Sequence, residues 1–183
     1  MTYCASPQLR RTDKVVTGTE RRLQAEWELL LQLAQLNPGR LTEISSEDQT
    51  FRFTLQNTPA RLSDLLDGEA TSDHKIRVKY PTFFPSTPLE LYVDRTFFHP
   101  NVHPKTGFVC LWALHRIEHT IEHALHRLVA MMSGRLYNLE AMHIMQPEAI
   151  HGIDRDDLEI HPLIGIAHDR FFPEQPSRRM RLS

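Results

Sequence analysis

The sequence predicts an α+β domain in which helices pack against an antiparallel sheet. Three observations predict it: one amphipathic helical stretch near the start, a run of short alternating segments after it, and a return of helical periodicity from about Thr120. At 183 residues the chain has the length of a single domain able to bury a core, and 40% hydrophobic with 24% charged residues are ordinary globular values. A formal net charge of -2 gives no global attraction for nucleic acid or anionic lipid, so neither is an expected partner. Partners must be chosen by local patches.

Residues 1–18 are polar and carry Pro7 and Gly18, which predicts a flexible N-terminal tail; a core over residues 19–150 follows. Thr19 is the expected N-cap of the first helix, where Leu23, Trp27, Leu30, Leu31 and Ala34 recur at helical spacing until Asn37, Pro38 and Gly39 stop it. Four strands are expected next, in "RLTEIS", "TFRFTLQ", "HKIRVKY" and "LELYV", as an antiparallel meander. In the second of these Phe51, Phe53 and Leu55 face one way and Arg52, Thr54 and Gln56 the other. "NTPARLSDLLDGEATSD" reads as a long insert. "YPTFFPSTP", with three prolines that lack a ladder donor, reads as extended loop. The second helix carries Ile121, Leu125, Leu128 and Met132 on one stripe up to Gly134. Residues 151–183 form a C-terminal extension to which no structure is assigned.

Two cysteines, Cys4 and Cys110, do not make a disulfide framework and suit a reducing, cytoplasmic setting. The start of the chain lacks the apolar region of a signal peptide, and its longest apolar run is far below the roughly 18 residues of a membrane span. No membrane association is expected.

The segment His99 to His123 holds two competing chemistries. His115, Glu118 and His119, and again His119, Glu122 and His123, fit a His-Xaa-Xaa-Glu-His zinc pattern. On a helix, however, His115, His119, His123 and His126 fall roughly 150° away from Leu114, Ile117, Ile121, Leu125 and Leu128, on a face expected to be solvated. No metal site and no cofactor are therefore expected. Cys110 is the rival: a lone cysteine is more often an inert hydrophobe than a nucleophile, and its context decides.

That context is an amphipathic helix, a strand meander, Phe84-Pro85-Ser86-Thr87-Pro88, His99-Pro100-Asn101, a turn with Pro104 and Gly107, Cys110-Leu111, and a helix. In this order over roughly residues 20–150 the chain resembles the ubiquitin-conjugating enzyme family. "HTIEHALHRLVAMM" resembles the helix after that family's active site, and "MQPEAI" at Met145 to Ile150 its later Pro-Glu-Ala turn. Aligned so, the second helix begins near Thr120, and His115 and Glu118 lie in the loop before it. Three features depart from the family pattern: a longer turn before Cys110, a shortened loop after it without Trp-Ser-Pro, and Met142 and His143 where many relatives carry an acidic residue. These resemble bacterial relatives encoded in phage-defence operons.

The resemblance implies that Cys110 takes a ubiquitin-like modifier from an activating enzyme as a thioester and passes it to an amine on a protein substrate. Exchange between thioesters is nearly balanced, so no catalytic triad is required. Asn101 has two roles open, donating an amide hydrogen to the tetrahedral oxyanion or holding the active-site loop. His99 and Pro100 are implied to be structural. His143 or His115 is the expected proton acceptor. Arg21 and Arg22 stand where the family's first helix meets the activating enzyme. The alternatives are a non-catalytic binding module of the same fold and, less favoured, a His-rich zinc hydrolase.

Overall fold

The computed structural model describes residues 17–62, 70–152, 158, 160–166 and 180–181. Helix α1 spans Gly18–Leu36 and is closed by a capping box. Thr17, not Thr19, is the N-cap: its Oγ1 accepts from the Glu20 backbone N–H, and the Glu20 carboxylate accepts from the Thr17 N–H. The tail expected over residues 1–18 lies, up to residue 16, outside the described residues.

The sheet is antiparallel, in the order β1 (Leu41–Glu47), β2 (Thr50–Leu55), β5 (His74–Lys79), β6 (Glu90–Val93) and β7 (Phe108–Val109). The four expected strands are present as a meander, and β7 adds a fifth on the edge of β6. It is two residues long and has no alternation to read. Within the long insert, β3 (Ala60–Arg61) pairs with β4 (Ala70–Thr71). The proline-bearing segment after β5 is not extended: Phe84 N–H donates to the Pro81 carbonyl and Thr87 N–H to that of Phe83, so it folds as successive turns. Proline forbids ladder pairing but suits turns equally well.

One core joins the inner sheet face to both helices: Phe51, Phe53, Ile76, Val78, Leu91, Val93 and Val109 meet Leu30 and Leu33 of α1 and Ile121, Leu125 and Leu128 of α2 (Ile121–Met132). Trp27, Phe51, Tyr80 and Phe84 meet in sequence edge-to-face or tilted, with centroids 5.0, 4.8 and 4.8 Å apart, linking α1 across the sheet to the proline turns. The α1 face turned inward carries Glu26, Leu30 and Leu33, whereas Leu31, expected on the stripe, is exposed. Glu26 is buried because it has two partners: its carboxylate accepts from the Ile121 N–H at 2.6 Å and pairs with Arg22 at 3.0 Å. Burial pushes its carboxyl up, and these two contacts pull it back. An anion from α1 thus sits on the N-terminus of α2, where orphan N–H groups favour it.

Helix α2 begins after Thr120, as the alignment implied, and His115 and Glu118 precede it. The expected solvated histidine face is corrected. Glu122, His123 and His126 are all buried, while Leu114 and Ile117, expected on the core stripe, are 71% and 57% exposed in the loop. For Glu122 and His126 the cover is a segment distant in sequence. Residues 160–166 lie against this side of the domain: Asn37 exchanges two hydrogen bonds with the Ile164 backbone, Arg40 donates to the His161 carbonyl, and Glu122 accepts from the Ile166 N–H. Ile160 and Leu163 join the core. After α2 come β8 (Leu136–Tyr137), parallel to β9 (Met180–Arg181), and two 3-10 turns, Ala141–His143 and Pro147–Gly152.

Candidate active site

Cys110 directly follows β7, and the hairpin before it sets its position. His103 N–H donates to the Phe108 carbonyl and Gly107 N–H to that of His103; the Gly107 carbonyl then accepts from Val93 N–H of β6. Gly107 has φ +69°, and a Cβ there would lie 1.9 Å from the Val93 oxygen, so only glycine fits. The Cys110 N–H donates to the Asn101 carbonyl at 2.9 Å, which ties the thiol to the His-Pro-Asn turn.

That turn is a buried hub. The His99 ring donates from Nε2 to the Leu136 carbonyl (2.9 Å) and accepts at Nδ1 from the Asn101 N–H (3.1 Å), so the neutral tautomer satisfies both nitrogens. Burial pushes its pKa down to about 4. The Pro100 carbonyl accepts from the N–H groups of Met145 and Gln146. Asn101 donates both amide hydrogens, to the carbonyls of Asn138 (2.7 Å) and His143 (2.9 Å), and its Oδ1 accepts from the Asn138 N–H (2.7 Å). The loop from Asn138 to Gln146 is held over Cys110 in this way.

The loop brings the His143 Nδ1 to 3.2 Å from the Cys110 Sγ, while its Nε2 lies 3.5 Å from the Glu140 carboxylate. Cys110 is half-buried. Burial pushes its thiol up, opposed by the Trp112 backbone and the Arg127 charge, so the resting group at neutral pH is the protonated thiol. Arg127 of α2 donates from Nε to the Leu111 carbonyl at 2.7 Å and lies over the Trp112 ring. Burial pushes its pKa down to about 10, which leaves it charged at pH 7. Trp112 in turn stacks on His119, centroids 4.0 Å apart. Desolvation, with the neighbouring imidazoles and arginines, lowers His119 to about 4.

Of the sequence-selected residues, the structure assembles His99, Pro100, Asn101, Cys110 and His143. His115 is engaged elsewhere, donating from Nε2 to the Pro85 carbonyl at 2.7 Å. Arg21 is exposed, whereas Arg22 binds Glu26 and the His119 carbonyl. Among the described residues no three His, Cys, Asp or Glu side chains converge as a metal would require. Sequence reading missed Arg127, Asn138 and Glu140. Only the three-residue spacing of Glu140 and His143 offered a signal, because the others act through contacts between distant segments.

A family model described as ubiquitin-conjugating enzyme matches residues 23–151. No curated protein matches the chain. A putative ubiquitin conjugating enzyme from Trypanosoma cruzi is 11% identical, with 78% of this chain and 92% of that one covered at a TM-score of 0.53. The H. polymorpha ubiquitin conjugating enzyme Pex4p, solved in complex with the soluble domain of Pex22p, is 16% identical over 72% and 85% of the two chains at 0.52. The human ubiquitin-conjugating enzyme E2 G1 is 23% identical over 60% and 95% at 0.42. The first two share this chain's fold.

Proposed function

The chain belongs to the ubiquitin-conjugating enzyme family, a family of transferases, and from that premise we propose that Cys110 carries a ubiquitin-like modifier as a thioester and that His143 moves the protons of both half-reactions. The observation that carries the reading is the 3.2 Å approach of the His143 Nδ1 to the Cys110 Sγ. A thiol held protonated by burial needs a base at hand, and an imidazole nitrogen 3.2 Å away can accept its proton. In loading, Sγ attacks the modifier's thioester carbonyl on the activating enzyme as its proton passes to His143; the C–S bond to that enzyme breaks, and its thiolate takes up a proton. In discharge, an acceptor amine attacks the new thioester, gives a proton to His143, and releases Cys110 as a thiol. The acyl group ends in an amide.

Asn101 is assigned the holding role of its two, because both amide hydrogens are already donated to backbone carbonyls. His99 and Pro100 fix the same hub. Arg21, exposed in the first turn of α1, is the proposed contact with the activating enzyme; Arg22 instead ties α1 to the loop before α2. The longer turn before Cys110 and the shortened loop after it support a bacterial, cytoplasmic setting in a conjugation operon directed against phage.

The test is intact mass, with and without reductant, after incubation with ATP and the activating enzyme and modifier encoded beside the gene. Wild type should gain one modifier mass that thiol removes, and Cys110→Ser should give a thiol-resistant adduct or none. His143→Ala should load more slowly and, once loaded, discharge to free lysine at least about 100-fold more slowly. Absence of an adduct, with the activating enzyme shown to charge itself, leaves a binding module. Unchanged discharge in His143→Ala removes the histidine from the mechanism.

A further inference from the structure

His143 has a second contact that the transfer chemistry does not assign. Its Nδ1 faces the Cys110 Sγ, and its Nε2 faces the Glu140 carboxylate at 3.5 Å, so the three side chains lie in series. The backbone holds the last two in register. His143 N–H donates to the Glu140 carbonyl at 2.9 Å, Glu140 N–H to the Asn138 Oδ1 at 2.8 Å, and Asn101 clamps the carbonyls of Asn138 and His143. A neutral histidine that accepts a thiol proton at Nδ1 carries its own hydrogen on Nε2, and that nitrogen lies 3.5 Å from a carboxylate that only accepts. Once the thiol proton has moved, the imidazolium sits beside that anion.

We propose that Glu140 is a positioning residue for the Cys110–His143 pair, fixing the tautomer with Nδ1 unprotonated and stabilising the imidazolium formed when the thiol gives up its proton. The proposal rests on the reading of Cys110 and His143 given above and extends it to a Cys-His-Glu series. Among the described residues, the charged groups bearing on the pair are Glu140 from the same loop and Arg127 from α2, which faces Cys110 and favours its thiolate. Glu140 is half exposed, at 54%, which limits its effect and makes it sensitive to salt.

The test needs neither the modifier nor the activating enzyme. Carboxamidomethylation by iodoacetamide at Cys110 is followed by peptide mass, so that Cys4 is counted separately, from pH 5.5 to 10 in wild type, Glu140→Gln, Glu140→Asp, His143→Gln and the Glu140→Gln, His143→Gln double variant. At pH 7 and low salt Glu140→Gln should react roughly three- to fivefold more slowly, Glu140→Asp should recover part of the rate, and the difference should narrow as pH rises and more of the thiol ionises without the histidine. In the His143→Gln background, Glu140→Gln should change nothing further, since a residue acting through another has no effect once that other is gone. Equal rates at pH 7, a deficit that does not narrow as pH rises, or additivity in the double variant would each overturn the proposal. A Glu140-dependent rate in a protein that never gains a modifier mass leaves the series standing and removes the carrier reading. A thioester formed with no Glu140 dependence does the reverse.

Discussion

Asn101 shows how far a single residue's role depends on its surroundings. Its identity is legible in the His-Pro-Asn run, yet its three side-chain bonds go to Asn138 and His143, about 40 residues away. His99 beside it offers a test at the same scale. The folded protein holds this imidazole neutral, with a pKa of about 4 against an ordinary value near 6.5. Since the folded pKa lies below the unfolded one, the stability it contributes is complete above about pH 6.5 and is lost as pH falls toward 4. The loss from this one group should reach about 3 kcal/mol near pH 4. Urea unfolding from pH 7.5 to 4 should show falling stability, with a shallower fall in His99→Gln. Buried His74, and His123 at the start of α2, also lowered by burial, add to the same trend. An identical pH slope in His99→Gln would show that this histidine is not the group held neutral.

At the element scale, the strongest periodic segments were the most legible. Strand β5 alternates buried His74, Ile76 and Val78 with exposed Lys75, Arg77 and Lys79, as its sequence does. Strand β7 was not legible, because two residues have no period and their ladder forms against Leu91 and Tyr92 of β6. Its approach to β6 depends on Gly107, so Gly107→Ala is the sharpest test of the hairpin that delivers Cys110. The added methyl would meet the Val93 oxygen, and the backbone is already left-handed there. A loss of at least about 2 kcal/mol is expected in urea unfolding. The Cys110 alkylation rate should change with it, since the thiol follows two residues after β7 begins. Helix α1 departs from its expected stripe for a different reason: Leu31 is exposed, while Glu26 is buried with the N-terminus of α2 and Arg22 as its partners.

At the scale of the whole molecule, the segment 160–166 decides which side of α2 is surface. Gly165 passes so near that a Cβ would come within 2.6 Å of the His126 ring and 2.8 Å of the Glu122 carboxylate. Ending the chain at residue 157 removes Ile160 and Leu163 from the core, and the net loss should be on the order of 2 kcal/mol once the ordering entropy of the segment is discounted. Hydrogen exchange in α2 should quicken, and Gly165→Ala should produce a milder form of the same change; unaltered exchange in both variants would show that the segment contributes nothing to the helix. The sequence by itself determined the fold class, the four longer strands, the start of α2 and the positions of His99, Asn101 and Cys110, because periodicity, turn chemistry and local motifs are carried within a few residues. Only the tertiary structure decided that His143 meets the thiol, that Glu140 faces its other nitrogen, that Asn101 spends both amide hydrogens on the loop, and that the histidines of α2 are covered. Apart from the Glu140–His143 pair, which spans three residues of one loop, these are contacts between segments tens of residues apart, and no local pattern along the chain encodes which distant groups a buried side chain will find.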